Sequence, residues 1–106
     1  MNKSLYDQFK DMLSEWVEEM DYLLDIKLCY DIYTGPSGRI YHTVLYGKTG
    51  LFCAALDTES STLYIDDKRL SRFNKFQIIN EADEVQLLLE SQTKFLIDLC
   101  DAHDLL

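Results

Sequence analysis

Proline, glycine and long apolar runs are scarce in this sequence. One proline and four glycines among 106 residues leave no room for a long linker or a low-complexity tract. No stretch approaches the roughly 20 apolar residues that a membrane span needs, so we expect no membrane association. Hydrophobic residues make up 47% of the chain, which is enough for a core. We therefore predict a single domain over residues 1–106.

Cysteine is also sparse, and its spacing excludes common sites. Cys29, Cys53 and Cys100 form an odd count without a CxxC pair, which favours reduced thiols and a cytoplasmic protein. No cysteines or histidines have the spacing of zinc ligands, so we predict no metal and no cofactor. We expect the three cysteines in the core. Lys3 is not followed by an apolar run, so we expect no secretory signal.

Positive charge is outnumbered and unevenly placed. Ten Lys and Arg stand against nineteen Asp and Glu, a net charge of −9, which argues against direct nucleic-acid binding. Residues 1–25 carry −5 and residues 81–106 carry −6, whereas residues 26–80 carry +2. Negative charge concentrated on rigid elements favours a positively charged protein as partner.

The N-terminal acidic segment has the pattern of an amphipathic helix. Ser4 is a good N-cap, and Asp7 stands at the capping-box position. Apolar residues recur at helical spacing: Leu5, Phe9, Met12, Leu13, Trp16, Val17, Met20, Leu23 and Leu24. The other side carries five candidate partner-binding carboxylates: Asp11, Glu15, Glu18, Glu19 and Asp25. Like charges one turn apart repel by about 0.2–0.5 kcal/mol per pair. Because the helix keeps these charges despite that cost, the pattern weakly indicates that they have a function.

Period-two patterns follow and then give way to a second helix. Strands are predicted at 26–33, 39–46, 51–56 and 62–66, and 75–79 could form a short fifth strand. The third segment is continuously apolar, which predicts a central strand. Asn80 then caps an acidic helix with a buried stripe of Val85, Leu88, Leu89, Phe95, Leu96, Leu99 and Cys100. The fold class is therefore α+β: an antiparallel β-meander of four to five strands, with N- and C-terminal helices on one face.

Motifs that suggest chemistry are each better explained by structure. Gly47-Lys48-Thr49 matches the end of a phosphate-binding loop, but His42 stands where that motif needs glycine, so we predict a hairpin turn. In segment 68–76, bases interleave with Phe73 and Phe76, a pattern that could bind single-stranded nucleic acid. A solvated loop whose bases (Lys68, Arg69, Arg72 and Lys75) pair with the acidic helices fits the overall acidity better. Asp66-Asp67 lacks the pattern of a calcium loop. We predict no catalytic residues and no enzyme activity.

Tyrosine is common, with seven residues. Five of them fall on predicted strands: Tyr30, Tyr33, Tyr41, Tyr46 and Tyr64. If helices cover one face of the sheet, several of these rings lie on the open face, where tyrosine suits a protein interface.

These observations favour a small protein-binding inhibitor that occupies a basic site on its partner. Asp11, Glu15, Glu18, Glu19 and Asp25 would stand in for phosphates, because residues one helical turn apart form a row that Arg and Lys can grip. The partner would be a basic protein, such as a nucleic-acid-binding nuclease, that the acidic field attracts.

A resemblance points in the same direction. The run Leu63-Tyr64-Ile65-Asp66-Asp67-Lys68, preceded by Cys53-Ala54-Ala55-Leu56, is similar to a stretch in phage-encoded anti-CRISPR inhibitors of the type II kind, which act on Cas9. The short acidic α/β format also resembles that group, and the stretch from Cys53 to Lys68 covers about a sixth of the chain. The resemblance implies that carboxylates block the DNA- or PAM-binding cleft of the nuclease, and it assigns no contact residues.

Two other functions stay open. One is an immunity or antitoxin-type protein that neutralises a basic toxin through the same charges. The other is a solvated α+β domain with a small-ligand site built from scattered residues, for which no acid-base constellation is visible. Salt dependence separates the two protein-binding functions, inhibitor and immunity protein, from the small-ligand site, because electrostatic capture weakens steeply with salt. The residues do not separate the inhibitor from the immunity protein.

Overall fold

The N-terminal helical pattern forms helix α1, which spans Leu5–Leu24 in a computed structural model of the protein that describes residues 3–66 and 76–104. Ser4 caps it as predicted, since its Oγ accepts a hydrogen bond from the Asp7 N–H at 3.1 Å. The helix ends at Asp25, which adopts a left-handed conformation (φ 51°, ψ 52°) and donates its backbone N–H to the carbonyl of Asp21. Aspartate tolerates that conformation better than most residues.

The second predicted helix, α2, spans Ala82–Asp104 and begins two residues after Asn80. Its predicted stripe is buried at Val85, Leu88, Leu89 and Leu96, and half-buried at Phe95, Leu99 and Cys100. The two helices belong to one compact unit, Met1–Lys27 with Glu81–Leu106, and the strands to another, Leu28–Asn80.

A hydrogen bond joins the two helices within their unit. The Trp16 indole Nε1–H donates to Thr93 Oγ1 at 2.8 Å, and Thr93 Oγ1 donates in turn to the Leu89 carbonyl at 2.9 Å. The Thr93 hydroxyl thereby acts as both an acceptor and a donor. A buried tryptophan needs such a partner for its N–H, so this pair fixes which faces of α1 and α2 meet.

The strand unit is a five-stranded antiparallel meander in the order β1-β2-β3-β4-β5. Its strands are β1 (Cys29–Thr34), β2 (Ile40–Tyr46), β3 (Thr49–Asp57), β4 (Thr62–Asp66) and β5 (Phe76–Ile79). The α+β class, the terminal helices, the fifth strand and the central place of the third strand are confirmed. The placement of both helices on one face of the sheet stays a prediction.

The register divides the side chains of the sheet into two faces. Tyr33, Tyr41, Ala55, Tyr64 and Ile78 stand opposite one another across all five strands and so share one face. The alternate positions hold buried residues: His42, Val44, Phe52, Ala54, Leu63, Ile65 and Ile79. Tyr33 and Ile78 at the two ends of this row are exposed, Tyr41 and Tyr64 are half-buried, and Ala55 at its centre is buried. That several tyrosines lie on an open face of the sheet stays a prediction.

Two details of the sheet differ from the sequence patterns. β1 begins at Cys29 rather than at residue 26, because the chain first leaves the left-handed end of α1. A β-bulge between Val44 and Leu45 pairs Val44 with Phe52 and Leu45 with Gly50, which leaves Leu51 as the extra residue. The bulge explains why consecutive Leu51 and Phe52 are both buried. The basic connection 67–74 lies outside the described residues.

Gln92 is unusual in α2 because its polar side chain is buried, and this allows a test of stability. Its side chain is 1% exposed, and neither its nitrogen nor its oxygen has a hydrogen-bond partner in the part of the chain that the structure describes. An unsatisfied buried amide costs about 1–3 kcal/mol. We therefore expect Gln92→Met to raise the free energy of unfolding, measured by urea denaturation, by about 1 kcal/mol or more.

The matched control is Gln86→Met, an exposed glutamine on the same helix, which should change stability by less than about 0.5 kcal/mol. A Gln92→Met protein less stable than the parent would contradict the absence of a partner for that amide.

Candidate functional site

The carboxylates predicted to bind a partner occupy an exposed side of α1. We call Asp11, Glu15, Glu18 and Glu19 the acidic face of α1; all four are exposed. Helical spacing places them within one or two turns of each other. Among residues 3–66 and 76–104, Glu15, Glu18 and Glu19 form no salt bridge. Their charge is therefore offset mainly by solvent.

Asp11 differs from the other three because it already has a cation. Lys3 Nζ forms a salt bridge with the Asp11 carboxylate, and Lys10 Nζ lies 3.4 Å from Asp7. The hydrogen bond to Asp11, and then the charge of that carboxylate, raise the pKa of Lys3 above its ordinary value. Partial burial raises the pKa of Tyr6 as well. The two lysines of this segment are thus paired with Asp11 and Asp7, and the charge of Glu15 adds a smaller contribution to the raised pKa of Lys3.

Asp25 lies at the end of the helix, as its C-cap. Its backbone closes α1, and the last turn contains no basic residue. Carboxylates at a helix C-terminus oppose the macrodipole, typically by about 0.3–1 kcal/mol each. Four of the five predicted residues therefore lie within α1, and Asp25 is the C-cap at its end, where negative charge is unfavourable.

A groove runs between α1 and α2 beside this face. It has a volume of about 320 Å³, and its apolar lining comes from Met12, Trp16, Met20, Leu23 and Leu89. We call it the interhelical groove. Thr93, which binds the Trp16 indole, and Gln86 complete its α2 wall.

Three carboxylates stand along the interhelical groove: Glu15 and Glu19 from α1 and Glu90 from α2. Among the residues that the structure describes, no Lys, Arg or His lines the groove. Gln86 Nε2 donates to Glu90 Oε1 at 3.4 Å, which holds one carboxylate in place. The sequence patterns missed Glu90, because its approach to α1 depends on how the two helices pack.

Tyr22 is a further residue that the sequence patterns missed. It is 86% exposed and follows Glu18 by four residues, so it stands on the same side of α1 as the acidic face. Its position off the apolar stripe was the available signal. An exposed aromatic ring beside carboxylates is suited to the centre of a protein interface.

Two other surfaces compare with the acidic face. On α2, Asp98 and Asp101 are exposed, and the side chain of Asp104 lies outside the described part. On the sheet, the Tyr33 and Tyr41 rings stack at 5.3 Å, and a cleft of about 250 Å³ lies over Ala55 between Tyr41 and Tyr64. Arg39 stands at this cleft, 3.9 Å from Asp57 and 5.9 Å from the Tyr64 ring centroid, so its charge is already shared.

The expected positions of the cysteines need correction. Cys29 is exposed, and Cys53 and Cys100 are half-buried, so the core prediction is wrong for Cys29. The reason is that Cys29 opens β1, an edge strand whose residues are mostly exposed. None of the three cysteines forms a disulfide. Within the described residues, no group of three or more His, Cys, Asp or Glu could hold a metal ion.

The remaining motifs have structural roles. Gly47 has φ +60° in the turn between β2 and β3, so the hairpin prediction for Gly47-Lys48-Thr49 is confirmed. His42 is fully buried, and its Nδ1 lies 2.7 Å from the Tyr30 hydroxyl. Neither α1 nor α2 has the length and hydropathy of a membrane-spanning helix, nor does any other helix among the residues described.

Comparisons with known proteins add no assignment. No protein-family model matches this sequence, and neither a curated protein nor a solved structure matches it significantly. Functional proposals for this chain therefore rest on the charge and geometry of its own residues.

The hydrogen bond at the groove wall can be tested directly. Thr93→Val removes the acceptor of the buried Trp16 N–H, so we expect a loss of about 1–3 kcal/mol in the free energy of unfolding. Thr93→Ser keeps the hydroxyl and should lose about 1 kcal/mol or less. Urea denaturation followed by the fluorescence of Trp16, the one tryptophan, measures both. Equal stability of the Val and Ser variants would show that the hydrogen bond between Trp16 and Thr93 does not contribute to the stability of the protein.

Proposed function

We propose that this protein binds a basic protein through the acidic face of α1 and inhibits it by occupying a site made for nucleic acid. The observation that carries the proposal is that Glu15, Glu18 and Glu19 are exposed and lack a salt bridge among the described residues. Three neighbouring carboxylates that form no salt bridge within residues 3–66 and 76–104 supply an acceptor row for Lys and Arg.

The energetics of α1 support a function for these charges. Asp11 and Glu15, and Glu15 and Glu19, are like charges one turn apart, which repel in the free protein. Asp25 adds negative charge at the end where the dipole disfavours it. A cationic partner would reduce both the repulsion between these carboxylates and the unfavourable interaction of Asp25 with the helix dipole. Part of its binding free energy would therefore come from removing these two costs.

Tyr22 can supply the apolar contact area that the carboxylates lack. Surface ion pairs contribute about 0–1 kcal/mol each, so a row of carboxylates steers a partner more than it holds it. A ring that is 86% exposed in the free protein can lose most of its contact with water on binding. Tyrosine is enriched at interface hot spots for this reason.

The partner proposed first is a nucleic-acid-binding nuclease. Carboxylates spaced about 5–6 Å apart on a helix can take the place of phosphates in a basic cleft. Such blocking is what the resemblance to type II anti-CRISPR inhibitors implies. An immunity or antitoxin-type protein would use the same face against a basic toxin, and identification of the captured partner separates the two.

The test uses two double variants with the same change in net charge. Glu15→Lys with Glu18→Lys should leave the circular dichroism spectrum unchanged and weaken partner binding by at least about tenfold, mainly through slower association. The partner is first captured from host lysate at low salt, identified by mass spectrometry and purified for binding kinetics.

The control reverses Asp98 and Asp101 to Lys on α2. It changes the net charge equally, so a general field effect would lower both affinities alike. If both variants bind the partner like the parent at low salt, the acidic faces are only solvated surfaces. A loss confined to the control would move the site to α2.

A further inference from the structure

We propose that the interhelical groove receives a short, basic, amphipathic helix of the partner. Apolar side chains of that helix would lie on the groove floor, and its Lys or Arg would meet Glu15, Glu19 and Glu90. This inference rests on the proposed function, since it names the segment that a basic partner would present to α1.

The dimensions of the groove fit one such segment. The lining residues of α1 extend from Met12 to Leu23, which is about 16 Å at 1.5 Å per residue. A helix that docks in a groove presents apolar side chains at i, i+3 or i+4, and i+7, a row of about 10 Å.

The charge of the lining selects the occupant. Burying Glu15, Glu19 and Glu90 under a neutral apolar segment would remove their water and offer nothing in return, which is unfavourable. An acidic segment would add repulsion. A segment with Lys or Arg beside its apolar row returns charge-assisted hydrogen bonds to each carboxylate.

The floor combines a fixed element with adaptable ones. Trp16 is held by Thr93, so its ring is oriented before any partner arrives. Met12 and Met20 are flexible and polarizable, and such side chains adjust to differently shaped apolar partners. Leu23, which is 60% exposed, forms an open wall that a partner would cover.

A model peptide tests the groove without knowledge of the natural partner. The probe is a Leu/Lys peptide of about 14 residues, roughly four helical turns, with all leucines on one face. A scrambled peptide of the same composition carries the same charge without an apolar face. Trp16 is the one tryptophan and lines the groove, so its fluorescence reports occupancy. We expect saturable binding of the amphipathic peptide that weakens with salt, and a binding at least about tenfold weaker for the scrambled peptide.

Two matched pairs of variants locate the binding. Leu23→Ala should weaken the amphipathic peptide about tenfold, whereas Leu87→Ala, at a leucine of 66% exposure outside the groove lining, should not. Glu19→Gln with Glu90→Gln should weaken binding at low salt by a similar factor. Asp98→Asn with Asp101→Asn removes the same charge from outside the lining and should change binding less than about twofold.

The outcomes separate this inference from the proposed function. Equal binding of both peptides, or no effect of Leu23→Ala, would overturn the groove while the acidic face of α1 stands. Failure of every cationic peptide to bind at low salt would overturn both. Loss of binding in the Leu23 and Glu19/Glu90 variants, with both controls unchanged, supports the groove.

Discussion

The hydrogen bond between Trp16 and Thr93 joins two helices whose contact residues lie 77 positions apart in the chain. An indole N–H buried without an acceptor would cost more than the bond gains, so the two faces have one strongly preferred alignment. Thr93 uses the rest of its hydroxyl on the Leu89 carbonyl, which leaves nothing unsatisfied at this point. The interhelical groove and the approach of Glu90 to α1 both depend on that alignment.

Helix α1 keeps a charge pattern that its own stability does not favour. Lys3 and Lys10 are engaged near its start, where acidic residues already suit the dipole. Further along, Glu15, Glu18 and Glu19 repel one another, and the end carries Asp25 with no base in the last turn. Replacing some of these by Gln or Lys would stabilise the helix, so their presence is better explained by binding than by folding.

The sequence predicted the secondary-structure elements well, but not which residues lie close together in space. Helical and period-two spacing located all seven elements, and Ser4 was identified as a cap, because these depend on local chemistry. The acidic face of α1 was likewise visible from helical spacing. Glu90, the bulge beside Leu45 and the exposure of Cys29 were not, since each is decided by which elements pack together and which strand lies at the edge. Local patterns contain no information on those choices.

Charge and apolar contact would act on different steps of binding. The exposed carboxylates of α1 act over about 8 Å at physiological salt, so they would set how fast the proposed basic partner arrives. The floor around Trp16 acts only in contact, so it would set how long that partner stays. A row of carboxylates alone would give fast, salt-sensitive, short-lived encounters. The inhibitor that we propose would have to outlast competition from the nucleic acid it displaces, and the apolar groove beside the charges would supply the slow dissociation that the carboxylates cannot.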